Sequence, residues 1–194
     1  NEPGGANMNT FLGNLITHLK KIDPRHKYTS AAGWPAIPEN DYNNDMYPRI
    51  NVWYAGLNSH INANRPSTDY NWFEIIDKYD HPYVAHESGN WCVYPNFKEI
   101  DKYDGCVVRA KNFEVFQEML ADNGLSDLAE TYLQASGHLQ TLCWKAEFEA
   151  ALRTPDFAGL QILSLSDFPG QGTALVGVLD AFWEEKGYIA PEEF

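Results

Sequence analysis

Short apolar runs alternate with helical patterns along the chain, and this alternation restricts the fold more than any other feature of the sequence. The apolar runs predicted to form strands lie at residues 28–32, 49–54, 83–86 and 159–165. The stretches with hydrophobic residues at helical spacing lie at residues 9–21, 70–79, 112–123, 125–135 and 138–153. Residues 36–48 are rich in Pro, Asn and Asp and are predicted to be a loop. Repeated strand–helix alternation is typical of a parallel sheet with crossover connections.

The charge balance argues against several classes of partner. The 194 residues include 27 Asp and Glu against 14 Lys and Arg, which gives a formal net charge of −13. Such a chain repels phosphate backbones and anionic lipid surfaces, so neither nucleic acid nor membrane is an expected partner. No apolar run approaches the ~18 residues of a membrane-spanning helix. The length fits one domain, predicted to cover residues 1–194.

The predicted strand at residues 83–86 carries the strongest candidate for chemistry. Its apolar residues are followed at once by His86 and Glu87, and then by Ser-Gly-Asn, a loop signal. Reactive groups in parallel α/β sheets and barrels are displayed at the carboxyl ends of strands. Glu2, in the opening pair Asn1-Glu2, supplies a second carboxylate. We therefore expect Glu2 and Glu87 to meet at one edge of the sheet.

The spacing of these carboxylates predicts a particular architecture. If Glu2 also ends a strand, the strand–helix units between Glu2 and Glu87 average about 28 residues, close to the ~31 of a (β/α)8 barrel. Four strand ends make only half of such a barrel. The predicted fold is therefore the C-terminal half of a TIM (β/α)8 barrel, from about the end of strand 4 to strand 8, with a helical insertion after strand 7. The chain opens without Met, and the N-terminal half is expected to lie upstream.

Several motifs together resemble one enzyme family. Asn1-Glu2 resembles the Asn-Glu pair that ends the fourth barrel strand in clan A glycoside hydrolases, and residues 86–91, His-Glu-Ser-Gly-Asn-Trp, resemble their seventh-strand nucleophile. The runs at residues 94–105 and 167–177 are similar to those of family 2-like hydrolases of polysaccharide-degrading bacteria. The resemblance covers nearly the whole chain, as the C-terminal half of the catalytic barrel.

This resemblance implies a retaining β-glycosidase, most similar to a β-galactosidase, that uses two carboxylates in a double displacement. It assigns Glu2 as the acid/base and Glu87 as the nucleophile, with Asn1 on the sugar 2-OH. The pKa of Glu2 would then have to be raised, while Glu87 stays ionised. The other residues expected to contact the sugar are three tryptophans at or just after strand ends and two polar residues: Trp34, Trp53, Trp91, His86 and Asp167.

Other catalytic classes lack their motifs. His60, His81, His86 and Glu87 could gather around a metal, but no H-x-x-x-H or H-x-E spacing supports this, and we predict no metal. The chain contains no GxSxG elbow and no Gly-rich phosphate loop, and no cofactor is expected. The three cysteines, Cys92, Cys106 and Cys143, allow a disulfide between two of them but imply no disulfide framework.

The alternative function is a carbohydrate-binding module without catalysis, or an inert half-barrel fragment. Half a barrel leaves two sheet edges unpaired, and these edges would pair with the missing half or with another copy of the chain. Export to the periplasm or the outside of the cell is expected from the family resemblance.

Overall fold

The computed structural model describes residues 2–52, 55–190 and 192, and its sheet has three parallel strands. The strands are β1, Asn43–Asp45, β2, Tyr83–Ser88, and β3, Phe157–Ile162. Their order is β1-β2-β3, with β2 in the centre. Asn43 is paired with Tyr83 on one side of β2, and Phe157 is paired with the same Tyr83 on the other.

The helices differ widely in length. They are α1, Met8–Ile22; α2, His60–Ala63; α3, Phe73–Ile76; α4, Lys111–Asp122; and α5, Ala129–Arg153. Short 3-10 helices lie at Gly56–Asn58, Phe97–Tyr103, Ser126–Leu128 and Pro169–Gln171. Within the described part of the chain, no helix combines the length and the apolar character needed to cross a bilayer. Among the residues that the structure describes, Cys92, Cys106 and Cys143 form no disulfide with one another.

The chain divides into two compact units, and each is discontinuous in sequence. The first unit comprises Asn1–Ser88 and Ala146–Ile162, and it contains the whole sheet. The second unit comprises Gly89–Lys145 and Leu163–Phe194.

The core of the first unit is built on the central strand. Tyr83 is almost completely buried and packs with its ring against Tyr79 on one side and Phe157 on the other, at centroid distances of 4.9 and 5.6 Å. Ile76 and Ala85 complete this cluster. The apolar residues of β2 therefore hold β3 and the end of α3 together, and they fix where the carboxyl end of β2 lies.

The core of the second unit gathers residues from α4, α5 and the C-terminal segment. Its buried members are Val93, Ala110, Phe113, Leu133, Leu175 and Tyr188. Tyr188 packs directly on α5 at Gly137, where a Cβ atom would lie only 2.1 Å from Tyr188 Cγ. Gly137 is therefore required for this close approach.

The predicted half of a TIM barrel is wrong. The structure has three strands in its described residues, and the segment at residues 28–32 is not a strand. The backbone groups of Tyr28 and Ser30 bond to a neighbouring loop instead: Tyr28 N–H donates to Asp41 Oδ2 over 2.9 Å, and Ser30 N–H donates to Asn40 Oδ1 over 2.8 Å. Asp41 N–H donates back to Tyr28 O over 2.8 Å. Side chains therefore take the hydrogen bonds that a strand ladder would use.

The predicted strand at residues 49–54 is not formed by its described residues, 49–52, while residues 53 and 54 lie outside the described part. Ile50 N–H donates to Glu147 Oε1 over 3.2 Å, and Ile50 O accepts from the N–H of Ile61 over 2.8 Å. The backbone groups of Ile50 are therefore bonded to a carboxylate and to a helix amide, and not to a neighbouring strand. The strand that pairs with β2 on the side away from β3 is instead β1, within residues 36–48, which the sequence predicted to be a loop.

Other expectations are confirmed. The helix predicted at residues 9–21 is α1, that at 112–123 is α4, and the strand at 83–86 is β2. The predicted helices at residues 125–135 and 138–153 are mostly one continuous helix, α5, preceded by a short 3-10 turn.

Candidate active site

The candidate site lies at the carboxyl edge of the sheet in the first unit. Because β1 and β2 are parallel, their carboxyl ends, at Asp45 and at His86 and Glu87, reach the same edge. In open parallel sheets this edge is where ligands bind. Asp45 is held by its neighbours, since Oδ2 accepts from the Tyr79 hydroxyl over 3.1 Å and Oδ1 accepts from the N–H of Met46 over 2.6 Å.

The backbone of β2 is irregular where it carries Glu87. Ala85 is paired with Leu160 and Ser88 with Ile162, so β2 has one residue more than β3 over this interval. Such a bulge redirects side chains and is often found beside active sites. Glu87 itself has φ +53°, in the left-handed region, which costs roughly 1–2 kcal/mol for a residue with a Cβ atom. A strained residue of this kind persists only where its surroundings impose it.

Arg49 contacts the end of β2 at two points. Its Nη2 lies 3.5 Å from Glu87 Oε2 and donates to the backbone oxygen of His86 over 3.4 Å. The Arg49 side chain is almost completely buried, whereas 27% of the Glu87 side chain is exposed. The guanidinium group therefore holds the Glu87 carboxylate from the protein side and leaves it accessible from the solvent side.

His86 places a buried imidazole beside Glu87. Its Nδ1 is 3.9 Å from Glu87 Oε1, which is too long for a hydrogen bond, and only 3% of the residue is exposed. Its buried Nε2 has no hydrogen-bond partner among the described residues. Burial lowers the pKa of His86, and Arg49 lowers it further against the opposing effect of Glu87. The imidazole is therefore neutral at neutral pH.

Glu2 approaches the same imidazole from the N-terminal segment. Its N–H donates to Ala32 O over 3.2 Å, and the Trp34 indole N–H donates to Pro3 O over 2.8 Å. The position that a Cβ atom would take at Gly33 lies 3.6 Å from Glu2 Cγ and 3.4 Å from His86 Nε2. With φ +98°, Gly33 adopts a conformation that favours glycine, and its missing side chain leaves the space between Glu2 and His86 open.

Four of the residues predicted for the site occur together in the first unit: Glu2, Trp34, His86 and Glu87. The other predicted contacts do not add to this group. Asn1 and Trp53 lie outside the described residues, and Trp91 and Asp167 belong to the second unit.

Within the second unit, the backbone oxygen of Trp91 and the carboxylate of Asp167 contact other residues of the chain. The backbone oxygen of Trp91 accepts from Gln140 Nε2 over 2.5 Å. Asp167 Oδ1 accepts from Gly177 N–H over 2.8 Å, and its Oδ2 lies 2.6 Å from Lys186 Nζ. The predicted contacts of Trp91 and Asp167 with a sugar therefore stay predictions.

Sequence reasoning missed Arg49 and Gly33. Arg49 lies at the start of the predicted strand at residues 49–54. The chain has only 14 Lys and Arg, so a basic residue in a predicted strand was a signal that it could pair with a carboxylate of the site. Gly33 was assigned to the end of a strand, but its function depends on Glu2 and His86, which only the fold brings to it.

The histidines that were considered as metal ligands do not come together in the described part of the chain. In the residues that the structure describes, no three His, Cys, Asp or Glu side chains are grouped so as to hold a metal ion. His60 instead packs against Tyr70 at a ring distance of 4.2 Å, and burial lowers its pKa.

Comparison with models of known protein families and with curated proteins finds no match for this chain.

Proposed function

We propose that this protein is a retaining β-glycoside hydrolase with Glu87 as nucleophile and Glu2 as acid/base, acting on β-galactoside-like substrates. The observation that carries the proposal is that two glutamates lie around one buried imidazole: Glu87 Oε1 is 3.9 Å from Nδ1 of His86, and Glu2 lies across Gly33 from its Nε2 and, against the larger effect of burial, acts to raise its pKa. Two carboxyl groups at one strand edge are the minimum equipment for glycoside hydrolysis.

The geometry around Glu87 supports its role as nucleophile. The bulge and the left-handed conformation direct its side chain away from the ladder, and Arg49 holds the side chain without covering it. The neutral His86 adds no positive charge to the site, while Arg49 places a cation beside the Glu87 carboxylate.

Glu2 differs from Glu87 in being exposed. The backbone around it is fixed by the hydrogen bonds of Ala32 and Trp34. This exposure leaves the Glu2 carboxyl group open to a departing glycosidic oxygen, which supports its role as acid/base.

In the proposed reaction the Glu87 carboxylate attacks the anomeric carbon while Glu2 gives its proton to the departing glycosidic oxygen. The sugar is then an ester of Glu87, and Glu2 is a carboxylate. In the second step Glu2 takes a proton from water, and the hydroxide displaces Glu87 from the anomeric carbon. The two inversions leave the product with its original β configuration, and the enzyme returns to its starting state.

The first prediction is that Glu87→Ala and Glu2→Ala each lower turnover of an aryl β-galactoside by about 1,000-fold or more, because each removes a group that acts on the reacting atoms. Glu74→Ala, which changes an exposed glutamate of α3 in the same unit, serves as the matched control and is expected to leave turnover unchanged. Circular dichroism of all three variants checks that they are folded.

Azide separates the two roles. With Glu87→Ala, azide attacks in place of the nucleophile and gives an α-glycosyl azide; with Glu2→Ala, azide attacks the glycosyl-enzyme and gives the β-glycosyl azide. Near wild-type turnover by Glu87→Ala would contradict the assignment. An initial product of α configuration from the wild-type protein would contradict the retaining mechanism.

A carbohydrate-binding protein without catalysis is the second candidate, and the exposure of Trp34 favours it. The Trp34 side chain is 42% exposed while its indole N–H is fixed on Pro3 O, so a ring face is available for stacking on a sugar. Calorimetric titration of the wild-type protein with simple galactosides, alongside the hydrolysis assay, distinguishes the candidates. Binding without any turnover would favour the second.

A further inference from the structure

The second unit buries a glutamate that has no part in the proposed reaction. Glu99 lies in the 3-10 helix Phe97–Tyr103, which begins after Asn96, whose side chain accepts a hydrogen bond from Lys98 N–H over 3.2 Å. This short helix directs Glu99 inward, and only 1% of the residue is exposed. Its Oε2 is buried and has no hydrogen-bond partner among the described residues. An ionised carboxylate in such a place would lack the hydration that normally stabilises it.

The cations near Glu99 already have carboxylate partners of their own. Lys186 Nζ lies 2.6 Å from Asp167 Oδ2 and donates to Gly177 O over 2.8 Å. Lys102 forms ion pairs with the buried Asp180 and, at 2.7 Å, with the exposed Glu184.

The other titratable groups around Glu99 do not compensate for its charge. Arg109 pairs with Glu114 at 3.0 Å. Burial raises the pKa of both Tyr103 and Tyr188, so these phenols stay neutral. The three buried carboxyl groups, Glu99, Asp167 and Asp180, therefore face two lysines in the part of this unit that the structure describes.

A small cavity adjoins Glu99 and Asp167. Its volume is about 20 Å³, which is room for about one water molecule. Phe168, Pro169 and Gly172 form part of its wall, and the Asn112 side chain, also in the wall, donates a hydrogen bond to Gly172 O. Phe168 and Pro169 are themselves exposed. Val108 and Arg109, which also line the cavity, are exposed too. Solvent therefore reaches the outer side of the wall at both places.

We propose that Glu99 is a proton-binding site of the second unit, neutral while the cavity is closed, and that its ionisation opens the segment at residues 168–172 to water. One water molecule cannot hydrate a carboxylate, so loss of the proton requires more water to enter. Of the exposed parts of the wall, Arg109 is held by its ion pair with Glu114, whereas Phe168 and Pro169 begin a single short 3-10 turn, so this segment is the part expected to move.

The electrostatics agree with this geometry. Burial raises the pKa of Glu99 to about 7, against a smaller opposing effect of Lys186. Between its ordinary value of 4.5 and about 7 the folded state holds a proton that the unfolded state has lost. Glu99 therefore favours folding most at low pH, and its contribution to the folding equilibrium constant falls by about 300-fold as pH rises through this window, then levels off.

The test compares the full chain with Glu99→Gln, which keeps the size of the side chain and cannot ionise. Between about pH 5 and about pH 8 the wild-type folding constant, from urea unfolding, is expected to fall about 70-fold relative to that of Glu99→Gln. Glu118→Gln, which changes a glutamate 70% exposed on α4, is the matched control and is expected to follow the wild type. An equal pH dependence of wild type and Glu99→Gln would overturn the proposal.

Opening of the segment is measured by hydrogen exchange at a single pH, so that the chemical exchange rate is the same for both proteins. Near pH 8, amides of residues 168–174 are expected to exchange faster in the wild type than in Glu99→Gln, and equal rates would refute the opening. If Glu99→Gln does not fold, infrared spectra of the wild type with labelled glutamate decide the matter. The band of a protonated carboxyl group is expected near pH 6.5, where ordinary glutamates are almost fully ionised, and is expected to be lost near pH 9. Its absence near pH 6.5 would overturn the proposal.

Discussion

Gly89, the first residue of the second unit, touches a buried indole so closely that no other residue fits. It has φ +85°, and a Cβ atom there would lie 2.3 Å from Trp144 Nε1 and 2.7 Å from its Cδ1. The same indole N–H donates to Gly89 O over 2.9 Å, and only 2% of Trp144 is exposed. The Gly89→Ala substitution must therefore displace either the backbone or a ring that has little space in which to move.

Two costs add in this substitution. An alanine in the left-handed region costs roughly 1–2 kcal/mol. Inserting a methyl group into a packed site costs roughly a further 1–3 kcal/mol, because contacts shorter than 3 Å force the neighbours apart. The free energy of unfolding should therefore fall by about 2–5 kcal/mol.

Gly105 separates these two costs. It also has a left-handed φ, +79°, and belongs to the same unit, but a Cβ atom there would meet nothing within 4 Å. Gly105→Ala should therefore show the backbone cost alone. The assay is urea unfolding of wild type, Gly89→Ala and Gly105→Ala, followed by circular dichroism. If Gly89→Ala is no less stable than Gly105→Ala, the packing argument fails.

Two further substitutions test buried polar contacts. Lys186→Met removes the cation of Asp167 and should lower the free energy of unfolding by about 3–5 kcal/mol at neutral pH, and by less near pH 4, because a protonated Asp167 needs no partner. Thr154→Val keeps the shape of a buried side chain but leaves Trp72 N–H without its acceptor, now 2.9 Å away, and should cost about 1–3 kcal/mol in urea unfolding.

Exposed residues of the same types provide the controls. Lys98→Met breaks an ion pair with Glu130 in which both side chains are largely exposed, and should change stability by less than about 1 kcal/mol. Thr68→Val lies at the surface and is expected to be close to neutral. If these control substitutions lower the free energy of unfolding as much as Lys186→Met and Thr154→Val do, burial does not explain the effect of the buried contacts.

Two kinds of element could be predicted from the sequence: helices, whose backbone hydrogen bonds stay within the helix, and strands that are marked by a run of apolar residues. The helix α4 and the strand β2 are of this kind, since local periodicity marks both. Tyr28 and Ile50 lie in runs that look equally strand-like. Their N–H groups bond to the side chains of Asp41 and Glu147, however, and no local sequence pattern indicates these bonds. The number of strands was wrong for this reason.

Gly137 lies between the two helices predicted at residues 125–135 and 138–153, yet α5 runs through it without a break. Its function is to admit the ring of Tyr188, which lies far away in the sequence. The same holds at the candidate site: His86 and Glu87 could be found from their strand, whereas Arg49 and Gly33 acquire their roles only when distant segments meet.

The discontinuity of both units has a consequence for synthesis. The central strand β2 pairs with β3, which lies beyond the whole Gly89–Lys145 segment of the second unit. During translation one edge of β2 therefore stays open until residues 157–162 have left the ribosome, and an open apolar edge is a site for aggregation. The second unit waits in turn for Leu175 and Tyr188 before its core can close. The first unit therefore cannot complete its sheet before residues 157–162 are free to fold, and the second cannot complete its core before Tyr188 is.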